Sequence, residues 1–431
     1  MGIYNNVIKN ASWIIACRLV RSVLAMVIGM ISARYLGPEN QGLLGYASSL
    51  VAFVLPLAQL GLSNILVDEI VSHPEHEGKA LGTSLVFSVI SSILCIVGCG
   101  AFVSIANAGE RDTLIVCLLY SVSLIFQMTE MIQYWYQAKL LSKYMAVVSL
   151  IAYVIVSIYQ VILLITEKSI YWFALSHTFD VLLISVFLIV IYGKIGKQKL
   201  TFSFSLGKQM LSRSRYYIIS SMMVTIFAQT DKIMIKNMLG NEENGYYTTA
   251  VTCAGMTGFV FSAVIDSLRP VIFESKRNDQ KRFEKNVSIL YSIIIYMGLV
   301  QSILFTVFAN LIISIMYGEA YLLSIPILQI ITWYSTFSYI GPIRNIWMLA
   351  ENKQKYLWII NLSGAVLNVL GNFILIPLIG VSGAAIATVI TQFFTNFVMC
   401  VIMKPIRPVV RLMWKSLNPR ILLELIRKQE D

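Results

Sequence analysis

Arg34-Tyr35-Leu36-Gly37-Pro38-Glu39-Asn40-Gln41-Gly42 is a short polar run with a long apolar stretch on either side. Gly, Pro and Asn together end one helix and start the next. The chain repeats this device at Met238-Leu239-Gly240-Asn241-Glu242-Glu243-Asn244-Gly245-Tyr246, where both copies read Leu-Gly-x-Glu-x-x-Gly at a shift of about 203 residues. A second echo relates Gln137-Ala138 through Lys143-Tyr144 to Leu349-Ala350 through Lys355-Tyr356, at a shift of about 212. Two echoes in the same order and at nearly equal shifts indicate two related halves.

The surrounding composition sets the class. Hydrophobic residues make up 57% of the 431 and charged residues only 13%, with a mean hydropathy of +0.75. Soluble domains carry about 25% charged residues, so the expected fold is an all-α polytopic membrane protein. No cleavable leader is evident in the polar run Met1 to Asn10. The six cysteines, Cys17, Cys95, Cys99, Cys117, Cys253 and Cys400, all lie in apolar runs and read as small packing residues. His73, His76 and His177 are too scattered for a zinc site. No phosphate loop, nucleophile elbow or HExxH is present, so neither an enzyme active site nor a cofactor is expected.

Apolar runs of about 20 residues place twelve spans near 11–33, 43–67, 81–107, 113–136, 145–166, 170–192, 214–237, 246–272, 287–316, 324–349, 356–376 and 380–403. With the N-terminus inside, the basic residues collect on the cytoplasmic side: Lys194, Lys197, Lys199, Lys208, Arg213 and Arg215 in one loop, Lys276, Arg277, Lys281, Arg282 and Lys285 in another, and the tail after 403. Arg34, Arg111, Lys168 and Lys236 fall on the opposite side. This bias puts both termini in the cytoplasm and favours an even number of spans. It also assigns the net charge of +11 to contact with anionic lipid rather than with nucleic acid. The expected organisation is an N-terminal six-helix half at 1–192, a basic cytoplasmic linker at 193–213, a C-terminal six-helix half at 214–403 and an amphipathic tail at 404–431. Arg420, Ile421, Leu422, Leu423, Leu425, Ile426 and Arg427 are read as part of a short helix on the membrane surface.

Ionisable residues inside spans are the candidates for function, because each costs about 2.5–3.5 kcal/mol on insertion scales. Arg18 and Arg21 share one helical face with no carboxylate in their own span. Guanidinium forks suit phosphate and diphosphate oxygens, and snorkelling to headgroups is the competing explanation. Arg269 stands three residues from Asp266, the spacing of an intrahelical ion pair. Arg344 follows Gly341-Pro342, where a kink would present it to a cavity. Asp231 lies in the polar patch Gln229-Thr230-Asp231, and Lys232 points to a different face. Asp180 is three residues from His177, a spacing that fits either a proton-sensitive pair or a structural hydrogen bond. Glu130 adjoins the aromatic belt Tyr134-Trp135-Tyr136. Arg18, Arg21, Arg269 and Arg344 are thus the substrate-binding candidates, and Glu130, Asp180, Asp231 and Asp266 the ion-coupling candidates.

Twelve spans in two halves resemble the multidrug/oligosaccharidyl-lipid/polysaccharide exporter superfamily. The turn Arg34-Tyr35-Leu36-Gly37 with Gly42 behind it is similar to the start of its polysaccharide-export members. So are Asp231-Lys232-Ile233-Met234-Ile235 running into Leu239-Gly240 and Gly245-Tyr246-Tyr247, and the late Gly380-Val381-Ser382-Gly383-Ala384-Ala385-Ile386-Ala387-Thr388. Within the superfamily the chain looks most like O-antigen flippases of the Wzx type. The resemblance implies a MATE-like fold with alternating access in a bacterial inner membrane. It implies an undecaprenyl-diphosphate-linked oligosaccharide as cargo, with Arg18 and Arg21 matched to the diphosphate by role only. Partners it implies are membrane lipid, a polysaccharide polymerase and a chain-length regulator.

Two other transport readings stay open. An ion-coupled small-molecule antiporter uses membrane carboxylates, which Asp180 and Asp231 supply. A peptidoglycan-precursor flippase shares the diphosphate cargo but resembles chains with additional spans. A non-transporting scaffold has no positive feature in its favour, and a membrane glycosyltransferase lacks a sizeable soluble loop with paired carboxylates.

Overall fold

The computed structural model describes residues 2–139, 141–196 and 198–419, with side chains at 14 and from 16 onward. The described residues form α-helices and short helical turns, and contain no strand. In chain order the helices are α1 (Gly2–Ala58), α2 (Leu62–Ser72), α3 (Glu77–Ala106), α4 (Arg111–Ser121), α5 (Ser123–Gln127), α6 (Glu130–Ala138), α7 (Ser142–Ile165), α8 (Ile170–Ile195) and α9 (Phe204–Leu239). They continue with α10 (Asn241–Gly255), α11 (Gly258–Asn278), α12 (Gln280–Val307), α13 (Ala309–Met316), α14 (Ser324–Ser338), α15 (Ile340–Ala350), α16 (Leu357–Ile379), α17 (Val381–Phe393), α18 (Met399–Ile402) and α19 (Pro408–Ser416).

The turn at 34–42 is tighter than its composition suggests. Helix continues on both sides of Gly37, which alone departs from helical geometry, at φ 73° and ψ 172°. Pro38 follows as the first residue of the second stretch, where its fixed φ suits a helix and its missing N–H is not needed. Asn40 donates back to the Leu36 carbonyl at 3.0 Å, bridging the kink. Gly240, the echoed residue, does the same work between α9 and α10 at φ 115° and ψ −178°. Gly318 and Gly380 adopt related conformations before later helices. That corner of φ/ψ space is essentially confined to glycine. A Cβ at Gly37 or Gly240 would meet nothing within 4 Å, so the requirement lies in the backbone and not in crowding.

Ten described helical segments are long and apolar enough to cross a membrane, against twelve expected. The difference has two sources. The expected spans 11–33 and 43–67 merge into one helical element across the Gly37 kink. The expected span 324–349 is divided at Tyr339 into α14 and α15, of 15 and 11 residues.

The chain forms two compact units, Met1–Asn237 and Met238–Asp431. The first contains a buried cluster from α2, α3, α6 and α8, centred on Leu66, Leu81, Met131 and Tyr136. A second cluster in the same unit joins Leu43, Tyr46 and Leu50 of α1 to Val103 and Val116. Helix α9 is fastened to this unit at its start, where Arg213 pairs with Glu69 at 3.0 Å and also with Asp68. The other unit has its core where α11, α12 and α15 meet the apolar face of α19, through Val287, Leu290, Ile343, Val409 and Met413. Lipid tails are as apolar as leucine, so these helices are held by close packing and polar contacts more than by escape from water. Gly298 illustrates the point, since a Cβ there would come within 2.9 Å of the Thr336 backbone. Tail residues 420–427 lie outside the described residues. The described tail helix is α19, with Arg411, Trp414 and Lys415 exposed.

Candidate functional site

Helices α1, α5, α6, α7 and α8 of the first unit line a cavity of about 530 Å³. Its lining includes four of the eight candidates read from sequence: Arg18, Arg21, Glu130 and Asp180. Arg18 and Arg21 lie on one face of α1 because they are three residues apart, and the first stretch of α1 packs alongside α7 and α8. The Arg21 guanidinium pairs with the Asp180 carboxylate at 2.7 Å. It also donates to Ser149 and lies 5.3 Å from the Tyr153 ring centroid. Sequence reading treats Arg21 as unpaired; the structure corrects this, because its counter-ion sits 159 positions away on α8.

Asp180 is paired with Arg21 rather than with His177. The His177 ring stacks on Tyr120 instead, with centroids 4.4 Å apart. Glu130 accepts a hydrogen bond from Gln59. Arg18 is exposed and has no ion-pair or hydrogen-bond partner among the described residues. Two buried acceptors on the lining, Asp180 Oδ1 and Gln127 Oε1, likewise have no hydrogen-bond partner among the described residues. Among the described residues the cavity thus offers the exposed cation of Arg18, the Arg21 cation held by Asp180, a second carboxylate in Glu130, and the amides of Gln127, Gln133 and Gln137.

The other four candidates lie elsewhere. Asp231 is buried in α9, 5% exposed. Asp266 and Arg269 form the intrahelical pair at 3.3 Å, both well exposed. Arg344 is 4% exposed and sits inside α15. Its guanidinium donates to the Thr395 carbonyl at 2.8 Å and to Asn396 Oδ1 at 3.1 Å. Those acceptors belong to the π-helical turn Phe394–Val398, where wider winding frees main-chain carbonyls. Arg344 thus binds neutral acceptors of its own unit.

Sequence reading missed a second polar centre. Lys236, near the end of α9, has a nearly buried side chain paired with Glu110 at 2.6 Å. Tyr46 lies beneath it, 5.8 Å from ring centroid to Nζ, and donates to Asn107 at 2.8 Å. Asn107 in turn donates to Asn237 at 3.1 Å. Burial pushes the Glu110 carboxyl up, but hydrogen bonds from Lys236 and Thr113 outweigh it and hold the group below its ordinary value. Lys236 reads in sequence as an ordinary flanking charge, and only its burial distinguishes it.

Comparison with known proteins follows the same outline. Residues 7–276 match the family described as "Polysaccharide biosynthesis protein". The capsular polysaccharide biosynthesis protein CapF of Staphylococcus aureus is 21% identical over 90% of this chain and 96% of its own length. The uncharacterized membrane protein MJ1068 of Methanocaldococcus jannaschii is 31% identical, but the match covers 49% of this chain and only 44% of that protein. A putative O-antigen transporter of Salmonella typhi is 26% identical over 37% of each chain. Among solved structures, the lipid II flippase MurJ in an inward closed conformation superposes with a TM-score of 0.70 at 15% identity, covering 95% of this chain and 92% of that one. An inward-facing multidrug resistance MATE family transporter gives 0.66 at 14% identity, covering 93% and 99%. At such identities the structures establish the fold, an all-helical MATE-like one. The family match spans more than half of the chain, and this multi-pass membrane protein belongs to the polysaccharide biosynthesis protein family.

Proposed function

We propose that the protein is a flippase for polyprenyl-diphosphate-linked glycan. In this reading it moves undecaprenyl-diphosphate-linked repeat units of an O-antigen or similar surface polysaccharide out of the cytoplasmic leaflet of a bacterial inner membrane, by alternating access. The observation that carries it is the polar cavity with Arg18 and Arg21 on one face of α1. Sugars cross a bilayer poorly because each hydroxyl stripped of water costs energy, and a polar-lined cavity replaces that water. Family membership and the names of CapF and the O-antigen transporter support the same cargo class. The six-helix halves 1–192 and 214–403, joined by 193–213, and cytoplasmic termini belong to the proposal.

Arg18, without a partner among the described residues, would take a diphosphate oxygen, whereas Arg21 is already engaged by Asp180. Protonating Asp180 would release Arg21 to the cargo, so proton uptake and diphosphate binding would favour each other at this pair. Glu130 is the second carboxylate available for coupling. Arg344, Arg269, Asp231 and Asp266 would act outside this cavity, if on transport at all.

Deleting the gene in its own host tests the reading. Loss of surface glycan together with polyprenyl-linked repeat units trapped on the cytoplasmic side supports it. Intact glycan with new drug sensitivity would replace it by the small-molecule antiporter, to which the buried carboxylates also lend themselves. Accumulated peptidoglycan precursor would point to that lipid as the cargo.

A further inference from the structure

Residues 198–203 run without helix between α8 and α9, and they are bound to the start of α3 through main-chain atoms. The Thr201 N–H donates to the Gly78 carbonyl at 3.3 Å, and the Ser203 N–H to Thr83 Oγ1 at 3.0 Å. Gln198 accepts from the Gly78 N–H at 3.1 Å and donates to the Pro74 carbonyl at 2.7 Å. Contact this close needs glycine. A Cβ at Gly78 would fall 2.5 Å from the Lys199 carbonyl oxygen, and one at Gly82 2.5 Å from that of Thr201.

The strap faces outward with a mixed surface. Leu200, Phe202 and Phe204 are 45%, 52% and 67% exposed, and Lys199 and Lys208 are exposed among them. Both phenylalanines lean on Phe87 of α3, with centroids 6.0 and 6.3 Å away. Phe87 lies within one candidate span and Phe204 opens another. Aromatic rings with lysines beside them at the start of a candidate span match the headgroup region of a bilayer in polarity and, for anionic lipid, in charge.

We propose that 198–208 is a docking element for anionic phospholipid, with Lys199 and Lys208 on the phosphates and Phe202 and Phe204 among the upper acyl chains. The glycine-dependent fit to α3 fixes the depth at which α9 begins, so lipid bound here braces the start of α9. This surface is separate from the cavity and makes no use of the transport reading.

The test compares the full-length protein in nanodiscs of phosphatidylcholine with nanodiscs containing phosphatidylglycerol. Hydrogen exchange is read at the Thr201 and Ser203 amides, and lipid retained by the protein is read by native mass spectrometry. Phosphatidylglycerol is expected to slow exchange at both amides and to be retained preferentially. The exposed-site variant Lys199→Gln/Lys208→Gln should erase both effects, at roughly five-fold per lysine, while exchange in phosphatidylcholine stays as in the parent. Equal exchange and equal retention in the two lipids would overturn the proposal. So would a phosphatidylglycerol effect that survives in the double variant.

Discussion

Arg21 of α1 and Asp180 of α8 form an ion pair at 2.7 Å on the wall of a cavity. The side chains are 32% and 11% exposed, so the pair is partly shielded from water. Removing one member of a fully buried pair costs about 3–5 kcal/mol. With Arg21 one-third exposed, Asp180→Ala is expected to cost less, roughly 1–3 kcal/mol. Arg21→Ala/Asp180→Ala should destabilise by less than the sum of the single changes, because no charge is left alone. Thermal unfolding in detergent across the four proteins checks this; strict additivity would mean that the pair is not energetically coupled.

Gly37 and Gly240 are required by backbone conformation and not by space. Gly37→Ala and Gly240→Ala are each expected to cost about 1–3 kcal/mol. Gly29, inside α1 with open space around the Cβ position, serves as the control, and Gly29→Ala should be neutral or slightly stabilising. Melting temperatures of the three variants provide the comparison.

How much of this was legible in the sequence depends on range. The two Leu-Gly turns were readable because Gly, Pro and Asn act locally, and they located the kink at Gly37 and the helix break at Gly240. Gly318 and Gly380 went unrecognised as the same device, because Tyr317 and Ile379 stand in place of the leucine and neither glycine is followed by the x-Glu-x-x-Gly spacing of the first two copies. Arg18, Arg21, Glu130 and Asp180 were each identified as costly charges. That they share one cavity depends on which faces α1, α6 and α8 present to one another, and helical spacing does not report that across 159 positions. Lys236 looked like a flanking charge for the same reason, since Glu110 belongs to a distant turn.

The Glu110–Lys236 pair should respond to acid. The folded-state pKa of Glu110 is depressed, so its stabilisation is present above the unfolded-state value and is lost as pH falls through the folded one. Glu110 is 44% exposed at its side chain, which keeps the effect modest. Glu110→Gln is expected to lose this acid-dependent part of stability while matching the parent's slope above the ordinary carboxylate range. Melting temperature against pH, parent beside variant, reads it directly.

The most direct measurement is complementation of the deletion host by Arg18→Ala/Arg21→Ala at normal protein level, with lipid-linked intermediates assayed by leaflet. Without both guanidinium groups the described lining of the cavity holds no arginine or lysine for the diphosphate. The expected result is trapped repeat units on the cytoplasmic side and at least about ten-fold less surface glycan, the loss of one charge-assisted contact being worth about 1.5–3 kcal/mol. Full restoration of surface glycan by the double variant would contradict the account.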